Sequence, residues 1–590
     1  MPHRGSFYLN HSSMTTDKAF CREIADLLYA HGIRKAVLCP GSRNAPLIIA
    51  IHRHPSIRSW MAIDERSAAF AALGIASAAN EPVAVVCTSG TAMLNFAPAI
   101  AEAYYRQVPL IAITADRPAE WIDQDDSQTI RQFDALTNIV KGSWNVPVET
   151  GAERQAWYVN RIVNDALLTA LDGPMGPVHI NVQLDVPLGK ADYGFDSNRD
   201  TYADVRAITA VKPEGTLTTQ HARALALSLA SPAKVMIIAG FMAPDEKVNR
   251  ALRKLAARPN VAVLCEAQAN LHNGQWQGAR LHAGAFIGKI DSVLSTLTAE
   301  QKEALLPDVV ITVGGSLVSR FVKAWLRGAK DRVKHWHVGM QPYSVDCFQC
   351  LDKRIEMSAR NFLPQLASAM APTDAPSDYA AAWLQAAERA YALDEAYEQA
   401  SPWTDYKAMA MVMKRIPARW NLQLSNGTSV RYAQLFDYSN IHRIDCNRGV
   451  SGIDGCTSTA VGASAEYGDV TLLITGDMSA QYDVGALASA LITPRFKMVV
   501  LNNGGGGIFR FIEATSSLPE REECFCCEVK LPLKALADGY GFAYYEAASE
   551  EDLAHAWRAF AAEAERPAIL NLITPPELSA QVLSAYFHRQ

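Results

Sequence analysis

Several things are scarce or missing in this chain of 590 residues, and each narrows the field. No apolar run approaches the roughly 18–20 residues that cross a bilayer, which argues against membrane insertion. The opening stretch MPHRGSFYLNHSSMTTDKAF has no continuous apolar core and no small-residue cleavage site, so the expected location is cytoplasmic. Positive charge is not in excess: 55 Lys and Arg against 61 Asp and Glu give a net charge of −6, which speaks against a nucleic-acid surface. The 11 cysteines are scattered rather than spaced as a disulfide framework, and suit a reducing compartment. Cys347-x-x-Cys350 and Cys524-x-Cys526-Cys527 would ligate zinc only if the fold joined them, and neither forms a compact paired knuckle. Ala239-Gly240-Phe241-Met242-Ala243 does not fit the Gly-x-Gly-x-x-Gly dinucleotide fingerprint. No short-period repeat is visible.

What is present is the composition of a soluble globular protein, 49% hydrophobic and 20% charged, with length for three or four domains. Short apolar runs alternate with helical stretches. The first set is Lys35–Cys39, Trp60–Ile63, Pro82–Cys87, Leu110–Thr114 and Gly176–Val182, and a second is Lys234–Gly240, Val261–Cys265 and Val309–Gly315. A third set contains Val470–Ile474, Lys497–Leu501 and Ala568–Ile573, with an Ala/Leu-rich helical stretch from Val484 to Leu491. Buried strands separated by helices imply parallel sheets covered on both faces. The polar segment 190–212 and the segment 371–377, with its two prolines, read as linkers. The expected fold class is therefore α/β with three doubly wound parallel-sheet domains, 1–190, 212–370 and 380–590. The first and third look alike in layout, as an old duplication would leave them.

Two strand ends carry the most specific chemistry. One is Gly476-Asp477; the other is Asn502-Asn503 followed by Gly504 through Gly507. A carboxylate and a carboxamide delivered to one sheet edge are hard oxygen donors of the kind Mg²⁺ takes, above all when a diphosphate completes its shell. The glycines let a backbone approach closely and offer a carbonyl. Glu65, at a strand-to-helix junction in Asp64-Glu65-Arg66, reads by itself as a helix-start carboxylate. Thr88-Ser89-Gly90-Thr91 before a helix reads either as an anion site or as a plain N-cap. His179, His335 and His337 lie in or beside apolar strand-like segments and are expected to be structural.

The Gly-Asp and Asn-Asn pair resembles the cofactor motif of thiamine-diphosphate enzymes. More specific strings are Cys39-Pro40-Gly41-Ser42-Arg43, Asp64 through Phe70, Thr88 through Ala92, Thr114-Ala115-Asp116-Arg117-Pro118, Asn447 through Gly455, and Asn502 through Phe509. Together, and in this order, they resemble the 2-succinyl-5-enolpyruvyl-6-hydroxy-3-cyclohexene-1-carboxylate synthase family of menaquinone biosynthesis; the middle domain matches only loosely. The resemblance implies a pyrimidine-binding first domain, a central domain and a diphosphate-binding third domain. It implies a transferase that uses thiamine diphosphate and Mg²⁺ or Mn²⁺, decarboxylates 2-oxoglutarate and adds the succinyl-semialdehyde carbanion to isochorismate. It also implies homodimers or homotetramers with active sites between chains.

The resemblance carries roles onto single residues. Glu65 would be the catalytic acid beside the cofactor's pyrimidine, with its pKa raised by an apolar site. Asp477, Asn503 and the carbonyl of Gly505 would hold the metal. Thr88, Ser89, Gly90, Ser451, Gly452, Ile453, Gly476, Met478, Ser479, Gly506 and Ile508 would complete the cofactor pocket. Ser42, Arg43, Arg117 and Gln128 would hold isochorismate. Asn426, Arg431 and Arg448, with Arg320, would face the succinyl carboxylate, for which an arginine fork is apt; Ile508 and Phe509 would wall the reacting carbons. Two positions depart from the family pattern. Gly427 stands where many relatives carry Ser, so a hydroxyl from Thr428 or Ser429 is the expected substitute. Arg320 is followed by Phe321 where some relatives have a second basic residue. Other readings are an acetolactate-synthase-like carboligase on 2-oxo acids and a non-catalytic protein that keeps only the fold.

Overall fold

The computed structural model describes residues 15–185, 205–212, 215–271, 286–370 and 377–589. The expected linkers lie mostly outside these residues. Contacts divide the chain into two compact units, Met1–Val211 with Ser489–Leu491, and Lys212–Ala488 with Ile492–Gln590. The first unit holds one six-stranded parallel sheet, and the second holds two.

In the first unit the strands are β1 (Lys35–Leu38), β2 (Arg58–Met61), β3 (Val83–Cys87), β4 (Leu110–Asp116), β5 (Ser143–Val146) and β6 (Val178–Gln183). They lie in the order β2-β1-β3-β4-β6-β5. All residues of β3, β4 and β6 are buried, as expected of central strands covered by helices on both faces. The helix Glu65–Ala79 shows why one cover forms: Asp64 caps it by accepting from Ser67 N at 3.2 Å, and small alanines let Ser67 through Ala76 bury without a break. Asn80, at φ 54°, ends it in the left-handed region.

The second unit begins with β7 (Val235–Ala239), β8 (Val261–Cys265), β9 (Phe286–Ile287), β10 (Val309–Val313), β11 (Lys334–Val338) and β12 (Leu351–Ile355), ordered β12-β11-β10-β7-β8-β9. This is the doubly wound order of a dinucleotide-binding fold. Its second sheet contains β13 (Asn421–Leu424), β14 (Arg443–Cys446), β15 (Thr471–Gly476), β16 (Phe496–Asn502), β17 (Ala543–Ala547) and β18 (Ala568–Ile573), ordered β14-β13-β15-β16-β18-β17. Counted within each sheet, that order is identical to the order in the first unit. The two sheets of the second unit are tied by polar contacts: Asn270 and Ile444 exchange two hydrogen bonds at 2.8 and 2.9 Å, and Gln434 binds Ala267 N and the Gln268 side chain.

Seven strands escape the sequence reading. Two of them, β13 and β14, carry Asn421, Gln423, Arg443 and Asp445, yet every residue in both is buried. Most of the polar groups pair with one another: Asp445 accepts from Arg443 Nε at 2.7 Å and from Gln423 Nε2 at 3.3 Å, and Asn421 Oδ1 accepts from Gln423 Nε2 at 3.1 Å, while the buried Asn421 Nδ2 has no partner. The helical stretch expected from Val484 to Leu491 is also displaced. An α-helix instead occupies Asp477–Tyr482, and Val484–Ala488 is a 3₁₀ helix. The buried Asp483 side chain accepts from the Ser458 backbone and hydroxyl, which anchors the break between them. His179 and His335 are buried structural residues, bonded to Thr114 and Thr312, and burial lowers both to about 4, so they stay neutral.

Candidate active site

Most of the residues singled out for chemistry follow the carboxyl ends of parallel strands, where ligands of open α/β sheets bind. In the second unit β15 and β16 run in register, with Gly476 opposite Leu501, so Asp477 and Asn503 emerge on adjacent strands. Asp477 is buried and opens the helix that follows β15. Its Oδ1 accepts from Met478 N at 2.7 Å and its Oδ2 from Gly505 N at 2.9 Å. Burial raises its pKa to about 6 against those two donors, and the nearby Asp405 adds to the rise.

Asn503 is oriented by a residue that sequence reading missed. Its Nδ2 donates to Asp405 Oδ2 at 2.7 Å, and the other Asp405 oxygen accepts from Thr574 Oγ1. A carboxylate accepts but does not donate, so Asp405 fixes the amide nitrogen toward itself and turns the oxygen away. That oxygen, Asn503 Oδ1, is buried with no hydrogen-bond partner. An oriented, unbonded oxygen next to a buried carboxylate is a fitting donor for a hard divalent cation.

The glycine run is shaped by what surrounds it. A Cβ on Gly505 would meet Cys526 O at 2.7 Å, one on Gly506 would meet the Phe509 ring at 2.7 Å, and one on Gly507 would meet Asn503 Nδ2 at 2.7 Å. Gly506 N donates to Cys526 O at 2.6 Å, so the cysteine-bearing π-helical turn Arg521–Cys526 pins the loop by its backbone. Gly505 O accepts from Gly507 N at 2.8 Å and keeps a second lone pair. Among the described residues no group of three or more His, Cys, Asp or Glu side chains is placed to hold a metal. The set at Asp477 has a different make-up: one carboxylate, one carboxamide and one peptide carbonyl.

Neighbouring strings close on the same place. Ser479 Oγ donates to Ile453 O at 2.9 Å, joining the segment after β15 to the segment after β14. Asn426 Nδ2 donates to Asn447 O and to Gly452 O, both at 2.7 Å, and Ser451 sits at φ 67°. Ile508 and Phe509 are half-buried on the short helix Ile508–Phe511, and the methyl of Met478 lies 3.1 Å from where a Gly506 Cβ would stand.

Three cations gather nearby. Arg448 Nη1 donates to Asn426 Oδ1 at 3.1 Å, and Arg431 Nη1 donates to Gly427 O at 2.8 Å. Burial, then the charges of Arg320 and Arg448, push Arg431 down to about 10. Gly427 has φ 91°, a backbone that a serine adopts only with strain, which explains the glycine there. Of the two expected substitute hydroxyls, Ser429 is buried 3.3 Å from Ser425 Oγ. Thr428 is half-buried and less enclosed.

The first unit carries the other residues. Glu65 is the first residue of its helix and is half-buried. Its charge adds to the rise of the buried Cys39 and Cys87 thiols, which places it by the ends of β1 and β3. Ile63, two residues before Glu65, is 85% exposed, so it does not supply the apolar site expected around Glu65 within this unit. Arg43 is buried, donates to Leu184 O at 2.8 Å, and is lowered by burial and then by Arg117. Arg117 pairs with Asp126 at 2.6 Å and donates to Ser127 O, beside the exposed Gln128 at φ 57°. Ser42 is exposed next to Arg43. Thr88 Oγ1 is buried without a partner, and no side chain caps the helix Thr91–Asn95, so Thr88 and Ser89 are not its N-caps. Gly90 N donates to Gln132 Oε1 at 3.1 Å, and the buried Gln132 also binds Ala115 O and Asn181. Gln132 is a second positioning residue with no signature in the sequence.

Comparison with known proteins bears on the family. Residues 20–136 match the family described as "Thiamine pyrophosphate enzyme, N-terminal TPP binding domain". A protein of Porphyromonas gingivalis named 2-succinyl-5-enolpyruvyl-6-hydroxy-3-cyclohexene-1-carboxylate synthase is 40% identical over 579 residues, 97% of each chain. Proteins with the same name from Christiangramia forsetii and Bacteroides thetaiotaomicron are 35% and 34% identical, covering 96% and 98% of this chain and 98% and 99% of their own.

Proposed function

The chain belongs to the 2-succinyl-5-enolpyruvyl-6-hydroxy-3-cyclohexene-1-carboxylate synthase family, and from that premise we propose how its own residues carry the activity. It is a thiamine-diphosphate-dependent transferase of menaquinone biosynthesis: 2-oxoglutarate loses CO₂, and the remaining four-carbon unit adds in a 1,4 sense to isochorismate. When bound, the cofactor supplies the electron sink for loss of CO₂. The protein supplies positions, charges and one proton path.

Asp477, Asn503 Oδ1 and Gly505 O would hold Mg²⁺ or Mn²⁺, whose charge would offset that of the diphosphate. The unbonded, Asp405-oriented Asn503 oxygen is the observation that carries this assignment. Gly476, Met478, Ser479, Ser451, Gly452, Ile453, Gly506 and Ile508 line the diphosphate side, in the third of three domains. Thr88, Ser89 and Gly90 line the pyrimidine side, in the first, where the Glu65 carboxyl would hold a proton beside the cofactor ring. Ser42, Arg43, Arg117 and Gln128 bind isochorismate. Asn426, Arg431, Arg448 and Arg320 receive the distal carboxylate of 2-oxoglutarate, with Phe509 as apolar wall. The gathering of arginines favours dicarboxylates over pyruvate.

Catalysis takes place in a homodimer or homotetramer, Glu65 of one copy serving the metal site of another; the exposure of Ile63 beside Glu65 supports a second copy as its missing apolar cover. A cytoplasmic location is supported by 11 free thiols, and no described helix is long and apolar enough to cross a membrane. The test is turnover of 2-oxoglutarate and isochorismate with thiamine diphosphate and Mg²⁺. CO₂ release with 2-oxoglutarate but not pyruvate is expected; preference for pyruvate would make the chain an acetolactate-type carboligase.

A further inference from the structure

The carboxylate end of the second unit contains a cation that no motif announced. Lys323 lies one turn into the helix Arg320–Gly328, three residues after Arg320 and so on the same face. Its Nζ donates to Leu317 O at 2.7 Å, and Arg448 Nη2 reaches the same carbonyl oxygen at 3.5 Å. Two cations from different sheets thus meet at one atom, beside the Arg320 and Arg431 already described. None of the four stands within ion-pair distance of any carboxylate among the described residues.

The carboxyl groups that face this group are Glu266 and Asp291; burial raises them to about 7 and about 6, and both are committed elsewhere. Glu266 accepts from Val318 N at 2.8 Å and from Ser319 N at 2.7 Å, and Asp291 accepts from Ser319 Oγ. They fix the loop that carries Arg320 and leave the positive field in excess. Like charges are held together at a cost, and an anionic ligand between them relieves it. Burial, then the Arg448 and Arg327 charges, lower Lys323, while Glu266 opposes the shift.

We propose that Lys323 is a specificity-determining contact to the distal carboxylate of 2-oxoglutarate. An ammonium has three donors, and Leu317 O uses one. This inference rests on the function proposed above and names one more residue of its site.

The experiment compares Lys323→Met and Lys323→Arg in the full-length protein with thiamine diphosphate and Mg²⁺. KM is measured for both substrates, the unfolding midpoint checks the fold, and calorimetry follows binding of glutarate, which has both carboxylates and no keto group. Lys323→Met should raise the KM for 2-oxoglutarate on the order of tenfold, the worth of one charge-assisted hydrogen bond. Glutarate binding should weaken by a similar factor, the KM for isochorismate should not move, and Lys323→Arg should restore both values. An unmoved KM for 2-oxoglutarate, equal rises for both substrates, or an arginine variant as impaired as the methionine one overturns the proposal. The activity and the subsite fail separately. Wild-type protein that binds glutarate in a Lys323-dependent way without releasing CO₂ refutes the activity and keeps the subsite; turnover indifferent to Lys323 does the reverse.

Discussion

Single residues divide into those a motif reveals and those only folding can. Asp477 and Asn503 were legible because each follows an apolar strand and their chemistry is local. Asp405 was not: it opens a helix, reads as a first-turn acid, and meets Asn503 across 98 positions of chain. Asp405→Ala should let the Asn503 amide rotate and weaken binding of Mg²⁺ and thiamine diphosphate by about 10–100-fold, the usual cost of losing a partner that orients a metal ligand. Titration calorimetry checks this, and undiminished affinity would mean that Asn503 needs no such support. Glu266 allows a second test. Its carboxyl is fully enclosed and burial raises it from 4.5 to about 7. Folding therefore favours its protonated form, so its contribution to stability is complete below about pH 4.5 and is lost as pH climbs through about 7. Glu266→Gln should flatten that part of the stability profile, read as unfolding midpoints between pH 4.5 and 7.5. A variant whose profile parallels the wild type would show that Glu266 is not the group responsible.

Elements were legible where burial and hydrophobicity coincide. Runs such as Val83–Cys87 and Ala568–Ile573 are apolar because helices cover both faces, and their bounds in the structure match or nearly match the apolar runs. Strands β13 and β14 were hidden because their polar side chains are buried and largely paired with each other, a pairing that composition cannot express. The glycine loop after β16 shows the same limit. Its flexibility was readable, but its docking on Cys526 was not, since the turn Arg521–Cys526 carries no apolar pattern that points back to the loop. Gly505→Ala should break that docking. The added methyl meets Cys526 O at 2.7 Å with the backbone at φ 156°, a strain of about 1–3 kcal/mol at a loop that must keep its shape. Cofactor and metal binding should fall together while circular dichroism is unchanged; retained binding would show that the loop adapts.

At the scale of the whole molecule, the proposed arrangement puts Glu65 and Asp477 of one active site on different chains. Glu65→Gln and Asp477→Ala should each be nearly inactive alone, the first with cofactor binding intact and the second without it. Mixed under exchange conditions, they should regain activity. Random pairing into dimers makes half of them hybrid, and each hybrid has one intact site, so recovery of roughly a quarter of wild-type turnover is expected. No recovery, with exchange confirmed by mass spectrometry of tagged chains, would place both residues of a site in one chain. The recurrence of one strand order in the first and last sheets has a consequence for how such an enzyme can change. Equivalent strands release their connections in the same sequence along each edge: Arg43 and Arg431 both come after a first strand, and Gly90 and Asp477 both come after a third. The two sheets thus differ in their connections while sharing one hydrogen-bonded framework. An engineer seeking a new acceptor or donor therefore has a set of sockets with known numbering, and can transplant a loop from one to its counterpart without redrawing any strand pairing.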